Sequence, residues 1–496
     1  MNGTATQPEK KVCYENLLFL TVLTFLIGSR WYGLGQWPVE DDEIFTYSRA
    51  MTGAYSWHFP ALYWLTSLSF KLFGPSELSL RLPCFIFGIA ALPALYFLAK
   101  RIFDRRTALL AGILLAVSPY HLYHSQYGRY YSAIFLLAIL TYSALYIYFT
   151  KNSLAALCCT LVLFACGTLF HPTFLLIGVS SFLFSIFINI TAVANSRLFD
   201  WPVRTRTAAR TFTILAIVVG LVCLVYAAII FNKWSEFSCQ EGGGWGYSFF
   251  WFLAQTCKYF GFAVCGLAFF GLLHLFTRNI FNALFLQFLI ATPVLIATAI
   301  SGIVDVRPDY IIIVYPLCLL LTSWLLQEMW KQQRILLPAL GIVVAIIMSI
   351  FPEFLSVYSG RASLDPRQAV NYIEKRYQSG DAVVSFSSGF SFYGKKYFPS
   401  LVWIGCSYEP RTLQKLKDDF AHTKVRTWFV LQTSRSGGDQ AVRTWLDHNA
   451  RLEKEILEKR YDYTYRGLRI YLKAGDSDKW PVEPMIGKIK HGEISR

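Results

Sequence analysis

The sequence predicts a polytopic α-helical membrane protein with a small α/β domain at its C-terminal end. Composition, a series of long apolar segments and a polar tail carry that expectation. Of 496 residues, 55% are hydrophobic and 16% charged, with mean hydropathy +0.41. Soluble domains carry about 25% charged residues. Eleven apolar segments recur at 17–35, 82–100, 107–122, 131–150, 153–170, 173–193, 211–231, 259–277, 280–302, 310–327 and 335–352. Most approach the roughly 20 residues that a helix needs to cross a bilayer. The 17% aromatic content suits rings seated at membrane interfaces.

The first segment, 17–35, is long enough to span and lacks a small-residue cleavage site, so it reads as an anchor and not as a signal peptide. Net charge is +15. In a soluble chain that would point to nucleic acid. Here the excess falls in loops between apolar segments, which fits the positive-inside rule and argues against a nucleic-acid partner. Lys10 and Lys11 place the N-terminus in the cytoplasm, and "KRIFDRR" at 100–106 belongs there too. Segment 59–74, "FPALYWLTSLSFKLFG", is short and contains Lys71. Read as an interfacial helix, with Trp57, Tyr63 and Trp64 at headgroup level, it leaves every later basic loop inside. Those loops hold Lys151, Arg197, Arg204, Arg206, Arg210, Arg278, Lys331 and Arg334.

Eleven crossings leave the C-terminus outside, and the chain divides into a membrane domain, 1–353, and an extracytoplasmic domain, 354–496. In the latter, "DPRQAVNYIEKRY" reads as a helix capped by Asp365 with Pro366 in its first turn. "DAVVSFS" and "RTWFVLQT" read as strands, with helical patterns at 410–421 and 439–448. That alternation predicts a small α/β fold. "GGGWG" at 242–246 follows no strand and reads as a flexible loop, not a phosphate cradle. Most of the 11 cysteines, such as Cys158, Cys159 and Cys166, lie in apolar segments and read as small core residues. Cys239 and Cys406 fall in outer regions, where a disulfide between them is one option.

The outward loops collect the unusual residues. The first holds the acid run Glu40, Asp41, Asp42 and Glu43, then Arg49 and His58. The second is "SPYHLYHSQYGRY", ending in Arg129 and Tyr130; the third surrounds His171; the fourth is 232–258; the fifth is "VDVRPDY", with Arg307 and Tyr310. A carboxylate serves as a general base for a hydroxyl. Arginines hold phosphate and stabilise its developing charge. Aromatic faces stack on sugar rings, and the interfacial helix has the surface to grip a lipid chain. Each piece has a blander reading: solvated acids, arginines that snorkel, histidines that bond their own loops. His121, His124 and His171 lack the tight spacing of a zinc site. The acid run has the chemistry for Mg²⁺ or Mn²⁺. Convergence of all these residues on one face outweighs any single one.

The chain resembles the GT-C membrane glycosyltransferases, and within them the family 39, protein-mannosyltransferase-like group that includes aminoarabinose transferases. The resemblance rests on "DDE" after the first span, "HFPALYWLTSLSFKLFGPSELSLRLP", "KRIFDRRTALLAGILLAVSPYHLYHSQYGRYYS" and "VRPDYIIIVYPLCLLL", in that order, over residues 15–350. It implies inverting transfer of a sugar from a polyprenyl-phosphate donor to a protein, lipid or glycan acceptor at the outer face of the plasma membrane. Under it Asp42 is the expected base with Glu43 beside it. His58, Arg129, Tyr130, His171, Arg307 and Tyr310 are the expected donor-phosphate and substrate contacts. Phe45 stands where aminoarabinose transferases carry an arginine, and "GRYYS" lacks the acid those enzymes have there. Both departures count against lipid A as the specific acceptor. A flippase or transporter of lipid-linked glycans is the alternative, but such proteins often show internal repeats and midplane charges that this sequence lacks.

Overall fold

The computed structural model describes residues 7–53, 60–194, 199–234, 249–301, 306–331, 354–355, 357, 365–403, 414, 418, 425–433, 440–459 and 465–475. Two compact units emerge. The first comprises Met1–Gln36 and Phe45–Tyr358, the second Trp37–Ile44 and Ser359–Arg496. The division thus falls a few residues beyond 353, and the short stretch Trp37–Ile44 groups with the C-terminal residues.

The first unit is helical: α1 (Gln7–Trp31), α2 (Asp41–Thr52, whose first turn belongs to the second unit), α3 (Pro60–Phe73), α4 (Glu77–Ile102), α5 (Arg105–Ala116), α6 (Pro119–Ser125), α7 (Tyr131–Lys151), α8 (Leu154–Phe170), α9 (Leu175–Val193), α10 (Val203–Trp234), α11 (Phe249–Phe260), α12 (Phe262–Arg278), α13 (Ile280–Ile300) and α14 (Tyr315–Lys331). Helix covers ten of the eleven apolar segments; 335–352 lies outside the described residues. Among the described residues, five helical stretches are long and apolar enough to cross a membrane: Glu77–Ile102, Tyr131–Lys151, Pro172–Val193, Ile280–Ile300 and Pro308–Lys331.

Other segments depart from straight spans. The 259–277 segment belongs to a pair of helices, α11 and α12, bent by 102°. Gly261 stands at the bend with φ +88°, a conformation that glycine adopts without a Cβ penalty. Segment 107–122 divides into α5 and α6. Pro119 offers no N–H to continue α5, and the Ser118 side chain starts α6 by accepting the His121 N–H at 3.1 Å. At 12 residues α5 is about 18 Å long, too short to cross alone. The 14-residue α3 is likewise shorter than a span. Trp64 on it is exposed, but Tyr63 is fully buried and meets Phe45 edge-on at 6.2 Å, so only the tryptophan remains available to an interface. Cys158, Cys159 and Cys166 are also exposed, contrary to the core reading. Helix α8 is apolar all round, so its sequence does not single out a packed face.

The loops sort to two ends. At one, Arg105 pairs with Glu15 at 2.9 Å and Lys331 approaches Asp104 at 3.6 Å. Asn282 at the start of α13 donates to the Ile102 carbonyl at 3.2 Å and accepts from Tyr146 near the end of α7 at 3.2 Å. Tyr146 lies 15 residues along α7 from Tyr131, about 22 Å away. The turns that contain Tyr130, His171 and Tyr310 gather at that far end.

The second unit holds a five-stranded sheet in the order β2-β1-β3-β5-β4, with β1 (Ala382–Ser385), β2 (Leu401–Trp403), β3 (Thr427–Gln432), β4 (Arg451–Lys459) and β5 (Tyr465–Lys473). β1 pairs in parallel with β2 and β3, and β5 pairs antiparallel with β3 and β4. Helices α15 (Pro366–Glu374), α16 (Ser388–Gly394) and α17 (Gln440–Asn449) accompany it. Asp365 caps α15 by accepting from the Arg367 N–H, with Pro366 in the first turn as its sequence predicts. Fully buried Trp428 donates its indole N–H to Asp381 at 2.9 Å, and the Tyr393 hydroxyl accepts the Val39 N–H at 2.8 Å. Segment 242–246, Cys239, Cys406 and most of 410–421 lie outside the described residues.

Helices α4 and α6 meet at Gly88, where an added Cβ would stand 2.4 Å from the Ser125 hydroxyl. Gly88→Ala is expected to cost about 1–3 kcal/mol through overpacking. Thermal unfolding of the purified full chain measures the loss, and adding Ser125→Gly should return part of it.

Candidate functional site

The site at the Tyr130 end starts with a buried charge. Arg30, fully buried near the end of α1, donates to the α5 carbonyls of Ala116 at 2.5 Å and Leu115 at 3.1 Å. These belong to the last turn of α5, where carbonyls lack partners within the helix. Arg30 also donates to the Ser29 hydroxyl at 2.8 Å and meets His121 Nδ1 at 3.2 Å. A guanidinium can only donate, so His121 Nδ1 accepts and the imidazole is neutral. Gln126 completes the brace by donating to the Arg30 and Tyr32 carbonyls at 2.9 Å each. These bonds meet the carbonyls at the break before Ser118 and fix α6 against α1.

From α6 the chain turns through Arg129 and Tyr130 into α7. Cys84 of α4 donates to the Arg129 carbonyl at 3.1 Å. The Arg129 guanidinium donates to the Thr46 hydroxyl on α2 at 3.3 Å and stands 5.3 Å from the Tyr130 ring centre. Tyr130 stacks on His171 at 4.2 Å, and His171 meets Tyr310 at 5.0 Å. The Thr173 N–H donates to His171 Nδ1 at 3.2 Å, so the neutral ring carries its proton on Nε2. Burial holds the Tyr130 hydroxyl protonated well above its ordinary range.

The fifth loop completes the cluster. Arg307 pairs with Asp309 at 3.0 Å; the guanidinium side chain is 44% exposed and the carboxylate side chain 9%. Burial opposes the arginine's charge, but Asp309, Tyr131 and Tyr310 more than offset it and raise the pKa further. Tyr120 of α6 donates to the Asp309 carbonyl at 3.4 Å, and the Ser118 and Tyr315 hydroxyls bond at 2.8 Å. The segment that braces Arg129 thus also braces Arg307.

The structure brings Arg129, Tyr130, His171, Arg307 and Tyr310 into one cluster within the first unit. Asp42 and Glu43 belong to the second unit, in the first turn of α2. Glu43 is fully buried and its Oε2 accepts the Glu40 N–H at 3.0 Å, as a capping glutamate does. Asp42 is half-buried and lies one helical turn before Thr46 on α2. His58 and Trp57 lie outside the described residues. At Phe45, the arginine of α2 that meets the ring is Arg49, its guanidinium 5.0 Å from the ring centre. His124 is buried and meets the Tyr131 ring at 4.3 Å. Among the described residues no three or more His, Cys, Asp or Glu side chains converge as metal ligands. Sequence reasoning passed over Arg30, Thr46, Gln126 and Asp309. Asp309 had a signal, since an acid two residues from an arginine is within reach of it.

The dolichyl-phosphate-mannose-protein mannosyltransferase family model matches residues 57–225. Among solved structures, ArnT from Cupriavidus metallidurans bound to undecaprenyl phosphate is similar over 92% of this chain and 98% of its own, with TM-score 0.56 and 14% identity. The apo oligosaccharyltransferase of Archaeoglobus fulgidus is similar over 87% of this chain and 71% of its own, with TM-score 0.58 and 13% identity. The same organism's AglB in complex with an inhibitory peptide and a dolichol-phosphate is similar over 84% and 69%, with TM-score 0.56 and 11% identity. The chain shares the fold of these GT-C enzymes. No curated protein matches it in sequence, and none of these findings supports a flippase. The bent and broken helices leave polar loops at their ends, and there this chain gathers Arg129, His171 and Arg307.

Arg30→Met is expected to strand the Ala116 carbonyl at about 1–3 kcal/mol, lowering thermal stability of the detergent-purified chain, while the Leu115 carbonyl keeps the Ser118 N–H at 3.2 Å. Arg30→Lys, which keeps a charged donor, should lose less.

Proposed function

We propose that the chain is an inverting glycosyltransferase that moves a hexose or pentose from a polyprenyl-phosphate donor to a hydroxyl-bearing acceptor. The carrying observation is the Arg129–Tyr130–His171–Tyr310–Arg307 cluster on a GT-C fold. Two guanidiniums supply the charge that a phosphate leaving group needs. The His171 Nε2–H and the neutral Tyr130 hydroxyl supply further donors, and three rings offer faces for a sugar. Support for a lipid-linked donor comes from ArnT captured with undecaprenyl phosphate and AglB with a dolichol-phosphate.

In this reading Asp42 takes the proton of the acceptor hydroxyl as its oxygen attacks the anomeric carbon. The bond from that carbon to the phosphate oxygen breaks, and polyprenyl phosphate leaves with the electron pair. Arg129, Arg307 and His58 meet its charge. Glu43 fixes the first turn of α2 and so holds Asp42 in place. A Mg²⁺ or Mn²⁺ ion at the acid run would supply positive charge beside the base. The Glu43 carboxylate that caps its own helix is a poor ligand for it, and no step is routed through a cation. The Arg105 and Lys331 end faces the cytoplasm of a plasma membrane and the aromatic end faces outward, in keeping with the basic loops.

Asp42→Asn is expected to lower kcat by about 10²–10⁴-fold while binding of labelled polyprenyl-phosphate sugar persists. A well-folded variant with full activity removes Asp42 as the base. Arg307→Ala should instead raise KM for the donor, read in the same assay. EDTA followed by Mg²⁺ or Mn²⁺ reports whether turnover depends on a cation, and mass spectrometry of glycolipids and glycoproteins from cells with and without the gene identifies the acceptor.

A further inference from the structure

We infer that Asp309 is a positioning residue that presents Arg307 to the donor phosphate and trims the site's charge so that the phosphate product leaves. The inference rests on the proposed function. Asp309 is buried, and its Oδ2 holds the Arg307 guanidinium at 3.0 Å. Arg307 keeps 44% of its side chain exposed, so one partner is anchored and the other presented. The anchor is itself fixed. Pro308 starts the 3₁₀ turn Pro308–Val314, the Tyr310 N–H donates to the Arg307 carbonyl at 3.0 Å, and Tyr120 bonds the Asp309 carbonyl. A guanidinium held this way has lost its rotamer freedom before ligand arrives, which lowers the entropic cost of binding.

Charge supplies the second half. A sugar phosphodiester carries one negative charge. The monoester left after transfer carries about 1.5 to 2 at neutral pH. Arg129 and Arg307 together bring two positive charges, which favours the product over the substrate. The Asp309 carboxylate cancels one of them at the Arg307 side, so the cluster matches the donor and does not trap the product. Burial of the carboxylate limits screening on its side, while the exposed face of the guanidinium stays open to a ligand.

The test uses purified full chain in lipid nanodiscs, with undecaprenyl phosphate as the binding probe and labelled polyprenyl-phosphate sugar as substrate. Asp309→Asn keeps an oxygen for Arg307 and removes the charge. Undecaprenyl phosphate should then bind about fivefold to tenfold more tightly, and kcat should fall by a similar factor as release slows. In an Arg307→Ala background the same substitution should change neither quantity, an outcome that a merely structural role would not give. Asp309→Glu restores charge on a longer arm. It should return product affinity toward the parent value while raising donor KM, and it carries the test alone if the Asn variant does not fold. Unchanged affinity and kcat in Asp309→Asn, or equal changes with and without Arg307, overturn the inference; for Asp309→Glu alone, an unchanged donor KM overturns it. If the parent chain neither binds undecaprenyl phosphate nor transfers sugar from the donor, the functional reading fails and the inference falls with it.

Discussion

The buried guanidinium of Arg30 sets the geometry of the aromatic end. A charge inside a membrane protein is costly unless its donors are matched, and an interrupted helix is costly unless its carbonyls are. In this chain the two liabilities cancel. Arg30 meets the α5 carbonyls at the break before Ser118, and the Ser29 hydroxyl and His121 Nδ1 accept from it as well. With α5 ended there, α6 is free to run as a short separate helix, and Gln126 ties its far end back to α1. Every later contact at the site descends from that arrangement. Arg129 follows α6 in sequence, and Tyr120 and Ser118 reach across to the fifth loop.

Much of this was legible in the sequence. Long apolar runs mark helices by length alone, and helix covers ten of the eleven expected segments. Loop charge sorted the turns correctly into two sets: those of Glu15, Asp104, Asn282 and Lys331 meet at one end, and those of Tyr130, His171 and Tyr310 at the other. A polypeptide cannot hide this parity, because each crossing exchanges one end for the other. Breaks were harder to see. Segment 107–122 is apolar across Ser118, and only Pro119 marks the interruption. The bend at Gly261 has a single glycine as its signal, and glycine is common in membrane helices without any bend.

Burial within an apolar helix was the least legible feature. Cys158 and Tyr63 both sit in hydrophobic surroundings, yet one is exposed and the other enclosed. In water the polar face of a helix reports its orientation. In lipid, exposed and buried faces are both apolar, so that signal vanishes. In the C-terminal sheet β1 and β3 were legible, and β4 was missed for a different reason. β4, "RLEKEILEK", carries charges on most positions and so lacks the clean alternation that marks a half-buried strand. Its pairing with β5 is a tertiary fact.

The site residues divide along the same physical line. Arg129, Arg307 and His171 stand out because charged or titratable groups beside a bilayer are rare and demand a reason. Asp309 did not stand out, because an acid two residues from an arginine looks like a local ion pair in a solvated loop. The difference is burial. In a solvated loop such a pair contributes about 0–1 kcal/mol and moves freely. With its carboxylate buried and its carbonyl bonded by Tyr120, the pair holds one geometry. The "GRYYS" loop therefore places neutral aromatic rings beside Arg307 where an acid would add a second negative charge. Tyrosines in place of an additional acid also leave the cluster's positive charge intact, since Tyr130 stays protonated. The proposed phosphate leaving group therefore meets two guanidiniums among neutral rings, one of them held by a buried carboxylate.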